Sequence, residues 1–204
     1  MSSIQNLIEN RLSTNHFDPS RKLSNEQIHE LVRLATLAPS AFNFQNWKFV
    51  AVTAAEVKEK IKAAAYGQQK VVDAAVTFVV CGTLGAHLEL EKTLAPSVAA
   101  GILSQSVAHT WVNMAKGAHE GHPQVQRDEA IRSASLAGMT LMLAAQGMGL
   151  STGPMGGFDP TAVSQILGLS AQEVPVMLIT VGYPAGGNWP RKPRKPVAQV
   201  LRCV

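Results

Sequence analysis

The stretch Ala38-Pro-Ser-Ala-Phe-Asn-Phe-Gln-Asn-Trp47 joins side chains that suit opposite surroundings. Ser40, Asn43, Gln45 and Asn46 carry compact donors and acceptors, while Phe42, Phe44 and Trp47 offer flat apolar faces. That mixture suits a planar heteroaromatic ligand with polar edges. It equally suits an ordinary polar loop whose aromatics plug the core. At the other end of the chain, Trp189-Pro-Arg-Lys-Pro-Arg-Lys-Pro196 concentrates cations between prolines. It reads as an anion-binding arm, a solvated terminus or a clamp for one phosphate group.

Other spacings imitate catalytic motifs without their context. Gly149 to Gly153 fits G-x-S-x-G, but it follows a long helical pattern, and all six histidines precede Ser151, so the order Ser, acid, His cannot be completed. The glycines at 147, 149 and 153 are spaced one residue too widely for a dinucleotide fingerprint, and no strand is predicted to lead into them. His119 and His122 sit three apart, not four, and neither cysteine lies near them, so they read as solvated loop histidines and no metal site is expected. Cys81, within an apolar run, reads as a small core residue.

Ile28, Leu31, Val32 and Ala35 recur at helical spacing behind a Ser24/Gln27 capping box and a Leu23/Ile28 staple, predicting a helix over 25–38. Pro39 ends it, and the alternating run from Trp47 predicts a strand over 47–53, so the polar and aromatic stretch is a helix-to-strand loop. Further helices are expected near 3–12, from a Thr53 cap to 65, over 96–116, 125–147 and 160–168, and strands near 75–82 and 174–184. The segment 115–129 reads as the most loop-like interior stretch, a lid or a surface connection. Few apolar strands among many helices predict a small sheet covered on both faces.

Composition bounds the function. A chain of 204 residues, 46% hydrophobic and 16% charged, is globular and is expected to form a single domain. The net charge of +4 is local: residues 186–204 hold five basic side chains and no acid, leaving the remainder at −1, which argues against a nucleic-acid-binding face. Cysteine usage without a C-x-x-C pair and an N-terminus without a leader pattern point to a reducing cytoplasm. The apolar stretch 133–150 contains Ser, Thr, Gln and three Gly, and reads as a buried or interface helix; no membrane partner is expected.

Taken in order, Arg11-Leu-Ser-Thr-Asn-His-Phe17, the loop with its P-S-x-x-N-x-Q-x-W core, Tyr66 to Ala74, Gly153 to Asp159 and the tail Lys192 to Pro196 resemble the FMN-dependent nitroreductase family over nearly the whole chain. The resemblance implies an α+β fold, a three-layer α/β/α sandwich with a small, mainly antiparallel central sheet, residues 1–204 forming one FMN-binding domain. It also implies an intertwined homodimer with tail 186–204 extending to the partner subunit. It places Pro39, Ser40, Ala41 and Asn43 of one copy at the flavin of the other, with Trp47 anchoring the strand. Arg11 and Ser13, with Leu12 between them, would meet the phosphate and ribityl chain, Asn15 would lie at the N1 and O2 edge of the ring, and Lys192 and Arg194 would clamp the phosphate. Gln68 and Lys70 would reach the polar edge of the ring. Pro154, Met155, Gly156 and Gly157 would form the turn beneath it, where small residues admit backbone amides. Viewed alone, Arg11 is also a helix C-terminal cation, Gln68 and Lys70 a surface helix start, and 154–157 a plain turn.

The implied reaction is ping-pong, with NADH or NADPH reducing the flavin and a nitroaromatic, quinone or related small molecule accepting in the same pocket. The flavin carries that chemistry, so no side chain is assigned as catalytic acid or base. Alternatives are a specialised flavin enzyme of the same fold, of reductive dehalogenase or flavin-cleaving type, and a nonenzymatic anion-binding protein using the tail. The chain departs from the family at Leu12, Asn15, Asn46 and Gly156, which bears on substrate choice and redox tuning.

Overall fold

The computed structural model describes residues 3–204; Met1 and Ser2, part of the N-terminal stretch read above for a leader, lie outside it. A four-stranded sheet in the order β1-β2-β4-β3 is built from β1 (Trp47–Val52), β2 (Val76–Thr83), β3 (Ser151–Met155) and β4 (Glu173–Gly182), every pair antiparallel. β2 and β4 are central and bury both faces, as their apolar runs demand.

Alternation along these strands divides the core. Val76, Phe78 and Val80 of β2 and Ile179 and Val181 of β4 pack with Ile28, Leu31 and Ala35 of α2 (Asn25–Ala35) and with Ala134, Leu141 and Ala145 of α7 (Pro123–Gly147). Val79, Cys81 and Leu178 point the other way, against Ile61 of α3 (Ala55–Ala64) and Val163 of α8 (Pro160–Leu167). The result is the expected three-layer α/β/α arrangement. Gly82 lets α7 approach β2, because a Cβ there would lie 2.4 Å from the Ala130 carbonyl oxygen.

The capping box forms as read, with Gln27 N–H donating to Ser24 Oγ and Ser24 N–H to Gln27 Oε1, at 3.2 and 2.9 Å. Elsewhere the structure corrects the reading. The helix expected over 96–116 is two, α5 (Leu90–Ala99) and α6 (Gln105–His119). Pro96 lies inside α5, Gly101 at φ +70° breaks the chain, and Ser104 caps α6. The segment 115–129 is helical except at a corner where Gly121 takes φ +74° and Pro123 opens α7. His119 is therefore a buried helical residue, not a solvated one. The helix after β1 is preceded by Ala54, and Thr53 does not cap it. A short helix, α4 (Lys70–Asp73), precedes β2. Among the described residues no helix is long and apolar enough to cross a membrane.

Candidate functional site

After α1 (Ile4–Asn10) the chain turns extended at Arg11 and runs alongside β3. Ser13 bridges Thr152 in parallel, and Thr14 N–H donates to the Thr152 carbonyl at 2.8 Å. Gly153 makes this approach possible: a Cβ there would sit 2.5 Å from the Thr14 carbonyl oxygen and 2.6 Å from Thr180 Oγ1. The strip Arg11–Asn15 thus runs along the β3 edge, joined to it by an isolated bridge at Ser13.

Two further segments converge on it. Gln68 Nε2 donates to the Gly157 carbonyl at 2.9 Å, and Lys70 Nζ donates to Asn15 Oδ1 at 3.4 Å. These bonds tie the turn before α4 to both the strip and the segment after β3. Partial burial lowers the Lys70 pKa. Met155 is buried against α3 and α8, so only its backbone faces this region, while Pro154 is half-buried and Gly156 and Gly157 are exposed.

The tail closes the arrangement. Asn188 Oδ1 accepts from Asn15 N–H at 2.7 Å and His16 N–H at 2.9 Å, and its Nδ2 donates to the His16 and Ala185 carbonyls. Residues 189–194 then face the strip across a cleft of about 180 Å³ lined by Arg11, Leu12, Ser13, Asn15, Lys192 and Arg194, together with Trp189, Pro190 and Arg191. Four cations and no carboxylate line it. Arg11 Nη1 is buried without a hydrogen-bond partner, and burial, then the charges of Arg191 and Arg194, push the Arg11 pKa down. A buried guanidinium N–H left unpaired costs roughly 1–3 kcal/mol or more, a cost that a bound anion removes. The donor set therefore fits a phosphate dianion. Lys192 lies over the Trp189 ring, 4.6 Å from its centre.

Asn188, Trp189 and Arg191 were not among the residues expected here. The signal for Asn188 was available, because an Asn after Gly186-Gly187 is a residue type that bonds nearby backbone in turns.

The loop 39–46 does not join the cleft within one chain. Ala41, Phe42 and Phe44 pack on α5 and α6, with Phe44 edge-on to His119 at 5.1 Å and Phe42 edge-on to Trp111 at 6.3 Å. Ser40 Oγ accepts from Gln45 N–H at 2.9 Å. Phe42, Asn43 and Gln45 all take positive φ, of 51°, 59° and 50°. Three non-glycine residues in the left-handed region within four positions store strain of order 1 kcal/mol or more each, a pattern that clusters at ligand-contacting segments. Pro39, Ser40, Ala41 and Asn43 are thus grouped with one another but apart from Arg11, Lys70, Gly157 and Arg194.

Comparison with known proteins agrees with the topology. The nitroreductase family profile matches residues 8–183. MhqN of Bacillus subtilis (strain 168), named as an NAD(P)H nitroreductase, is 38% identical over the full length of both chains. A Thermus thermophilus protein named NADH dehydrogenase is 32% identical, over 85% of this chain and 83% of its own. A structure from Exiguobacterium sibiricum 255-15, named as a nitroreductase and solved in complex with FMN, superposes with a TM-score of 0.92. It is 27% identical and covers 100% of this chain and 98% of its own. With a profile match over most of its length, full-length relatives and the same layered fold, the chain belongs to the nitroreductase family.

Proposed function

We propose that the protein is an FMN-dependent oxidoreductase that takes reducing equivalents from NADH or NADPH and passes them, in ping-pong order, to a small acceptor such as a nitroaromatic or quinone. The observation that carries this reading is the cleft beside β3, where Arg11 presents a buried, unpartnered guanidinium nitrogen among three further cations. FMN, when bound, supplies the two-electron exchange between donor and acceptor. The chain's own residues bind and orient: Arg11, Lys192 and Arg194 hold the phosphate, Ser13 offers a hydroxyl to the ribityl chain, and Asn15 and Lys70, bonded to each other, offer a donor and a cation to the polar edge of the ring. Pro154, Met155, Gly156 and Gly157 leave backbone open on the side facing it.

The working unit in this reading is a homodimer. Register along the sheet supports it: Trp47 opens β1 opposite Gly82, which pairs with Val174, whereas the Ser13 bridge meets Thr152, which pairs with Val181. Seven residues along β4 and four strand spacings across the sheet, the last from β3 to the strip, put about 24 Å by about 19 Å between loop and cleft. A second copy related by a two-fold axis brings the loop of one to the cleft of the other. Exposed apolar side chains fit such burial, among them Ile8 at 50%, Ile102 at 75% and, beyond the cleft, Val200 at 69% and Leu201 at 60%, where the tail reaches the partner.

The test is ligand discrimination. Arg194→Ala is expected to weaken FMN by about 1.5–3 kcal/mol, tenfold or more, and riboflavin hardly at all, because riboflavin lacks the phosphate. Equal losses in a fluorescence titration of both ligands would remove the phosphate from this cleft.

A further inference from the structure

Arg191 lines the cleft with Arg11, yet the two guanidinium groups are used differently. Arg191 Nη2 lies 2.9 Å from the Ile8 carbonyl oxygen, 2.6 Å from that of Glu9 and 2.8 Å from that of Arg11. These carbonyls belong to the last turn of α1 and the residue that leaves it, where helical carbonyls lack intrahelical partners and the helix end carries partial negative charge. A guanidinium, with five donors in a planar fork, suits several such acceptors at once. Arg11 Nη1, by contrast, is buried and has no partner. One arginine is free to meet a ligand; the other is already engaged with backbone.

Closure of the tail needs such an attachment. Laying residues 188–194 over the strip brings Arg191, Lys192 and Arg194 toward Arg11 with no carboxylate in the lining, so like-charge repulsion opposes it. Asn188 supplies one anchor, through two acceptor and two donor bonds to the backbone at 15, 16 and 185. Arg191 supplies the second, three residues further on and next to Lys192.

We infer that Arg191 is a positioning residue that staples the tail to the C-terminus of α1, holding Lys192 and Arg194 opposite Arg11, and does not itself contact the bound anion. The inference rests on the phosphate reading of the cleft. Removing the staple releases the two cations together, so the tail's contribution to anion binding is lost as a unit. A direct ligand would instead lose only its own share.

A double-mutant cycle on the full chain separates these cases. FMN and riboflavin affinities are measured for the wild type, Arg191→Ala, Arg194→Ala and the pair, with amide exchange of residues 188–194 followed in parallel. Arg191→Ala is expected to weaken FMN about tenfold or more while sparing riboflavin, and to quicken exchange in the tail. Adding Arg194→Ala to it should then change FMN affinity by no more than about twofold, the scatter between independent sites. Arg191→Lys, which keeps the charge but not the fork, should recover only part of the affinity. Asn188→Ala, acting at the other anchor, should give the same FMN-selective loss. Losses that multiply in the pair, full recovery by Arg191→Lys, or unchanged tail exchange in Arg191→Ala would overturn the inference. Arg194→Ala weakening FMN and riboflavin equally would instead sink the phosphate reading, and the inference with it.

Discussion

Two corners of the sheet carry the family's motifs, and they are built on different physics. At the β3 corner, Arg11–Asn15, the turn around Gln68, residues 153–157 and the tail are tied by hydrogen bonds into a polar, cationic cleft. At the β1 corner, residues 39–46 are held by aromatic packing on α5 and α6, and the backbone is bent through three left-handed residues. One corner supplies charge and donors, the other shape. β1 and β3 are opposite edges of the sheet, so in the proposed reading the flavin takes its charge contacts from one chain and its shape contacts from the other.

The largest expected effect breaks the comparison outright. Arg11→Ala disables the charged corner; Asn43→Val, a β-branched residue at φ +59°, disables the shaped one. If each site joins a cleft to a partner's loop, the mixed dimer of these two variants contains one doubly damaged site and one intact site. Neither homodimer contains an intact site. Co-expression with different affinity tags should then yield a mixed dimer with roughly half the flavin of the wild type, while both homodimers purify nearly colourless. Mixed dimers as colourless as their parents would return each site to a single chain.

Next in size are changes that test how each corner is held. Phe44 is 5% exposed and touches the cluster of Leu90, Leu94 and Ala108, so Phe44→Ala should cost about 3–4 kcal/mol of stability in denaturant unfolding. Gly153→Val should cost about 1–3 kcal/mol by overpacking, since its Cβ meets backbone at Thr14, which cannot rotate away. It should also empty the cleft of flavin, by pushing the strip off β3. Gly156→Val provides the contrast, because a Cβ there meets no protein atom within 4 Å: stability should survive while flavin content falls, since the side chain enters the space of the ring.

These contrasts also mark what the sequence could show. The apolar run of β2, the Ser24/Gln27 box and the cationic tail were legible, because each rests on local chemistry within a few residues. The break between α5 and α6 was signalled by Gly101 and Ser104 but hidden by Pro96, which looked like a helix start and lies inside a helix. The polar segment 115–129 looked like a loop because most of its residues, Ala115, His119 and Glu129 excepted, face outward from two helices that meet at Gly121. The grouping of Asn15 with Lys70 and Asn188 spans up to 173 positions and depends on the Gly153 approach, which no local pattern encodes. Lys58 was hidden for a similar reason: it sits among helical lysines, yet it is 3% exposed.

Lys58 and His87 give the comparison its pH dependence. Lys58 supports the charged corner, donating to the carbonyl of Val72 within α4, which carries Lys70, and to those of Ala74 and Ala75 just after it. Burial, with Lys22 nearby, lowers its pKa from 10.5 to about 8, opposed by Asp73. Below about pH 8 folded and unfolded chains both hold the proton; between about 8 and 10.5 only the unfolded chain does, so stability rises with pH in that window. Relative to Lys58→Met, the wild type should gain about 1–3 kcal/mol across it in denaturant unfolding, whatever the constant offset between them. Equal pH slopes would show that the ammonium stays charged at its three carbonyls.

His87 supports the shaped corner and gives a smaller effect. Its ring stacks on His119 at 5.8 Å, and His119 meets Phe44; its Nδ1 is buried without a partner. Burial, then the neighbouring His119, lowers the His87 pKa from 6.5, with Glu120 opposing and Lys116 reinforcing the shift. The unfolded chain therefore takes up this proton first as pH falls through 6.5, and stability is lost on acidification. The loss should concentrate where the ring packs. After correction for intrinsic rates, amide exchange at residues 41–46 should quicken between about pH 7.5 and 5.5, while the tail amides at 188–194 stay unchanged. His87→Gln should flatten that change. Acid-quickened exchange in both corners alike would mean that protonation loosens the whole sheet, and that the two corners are not held independently.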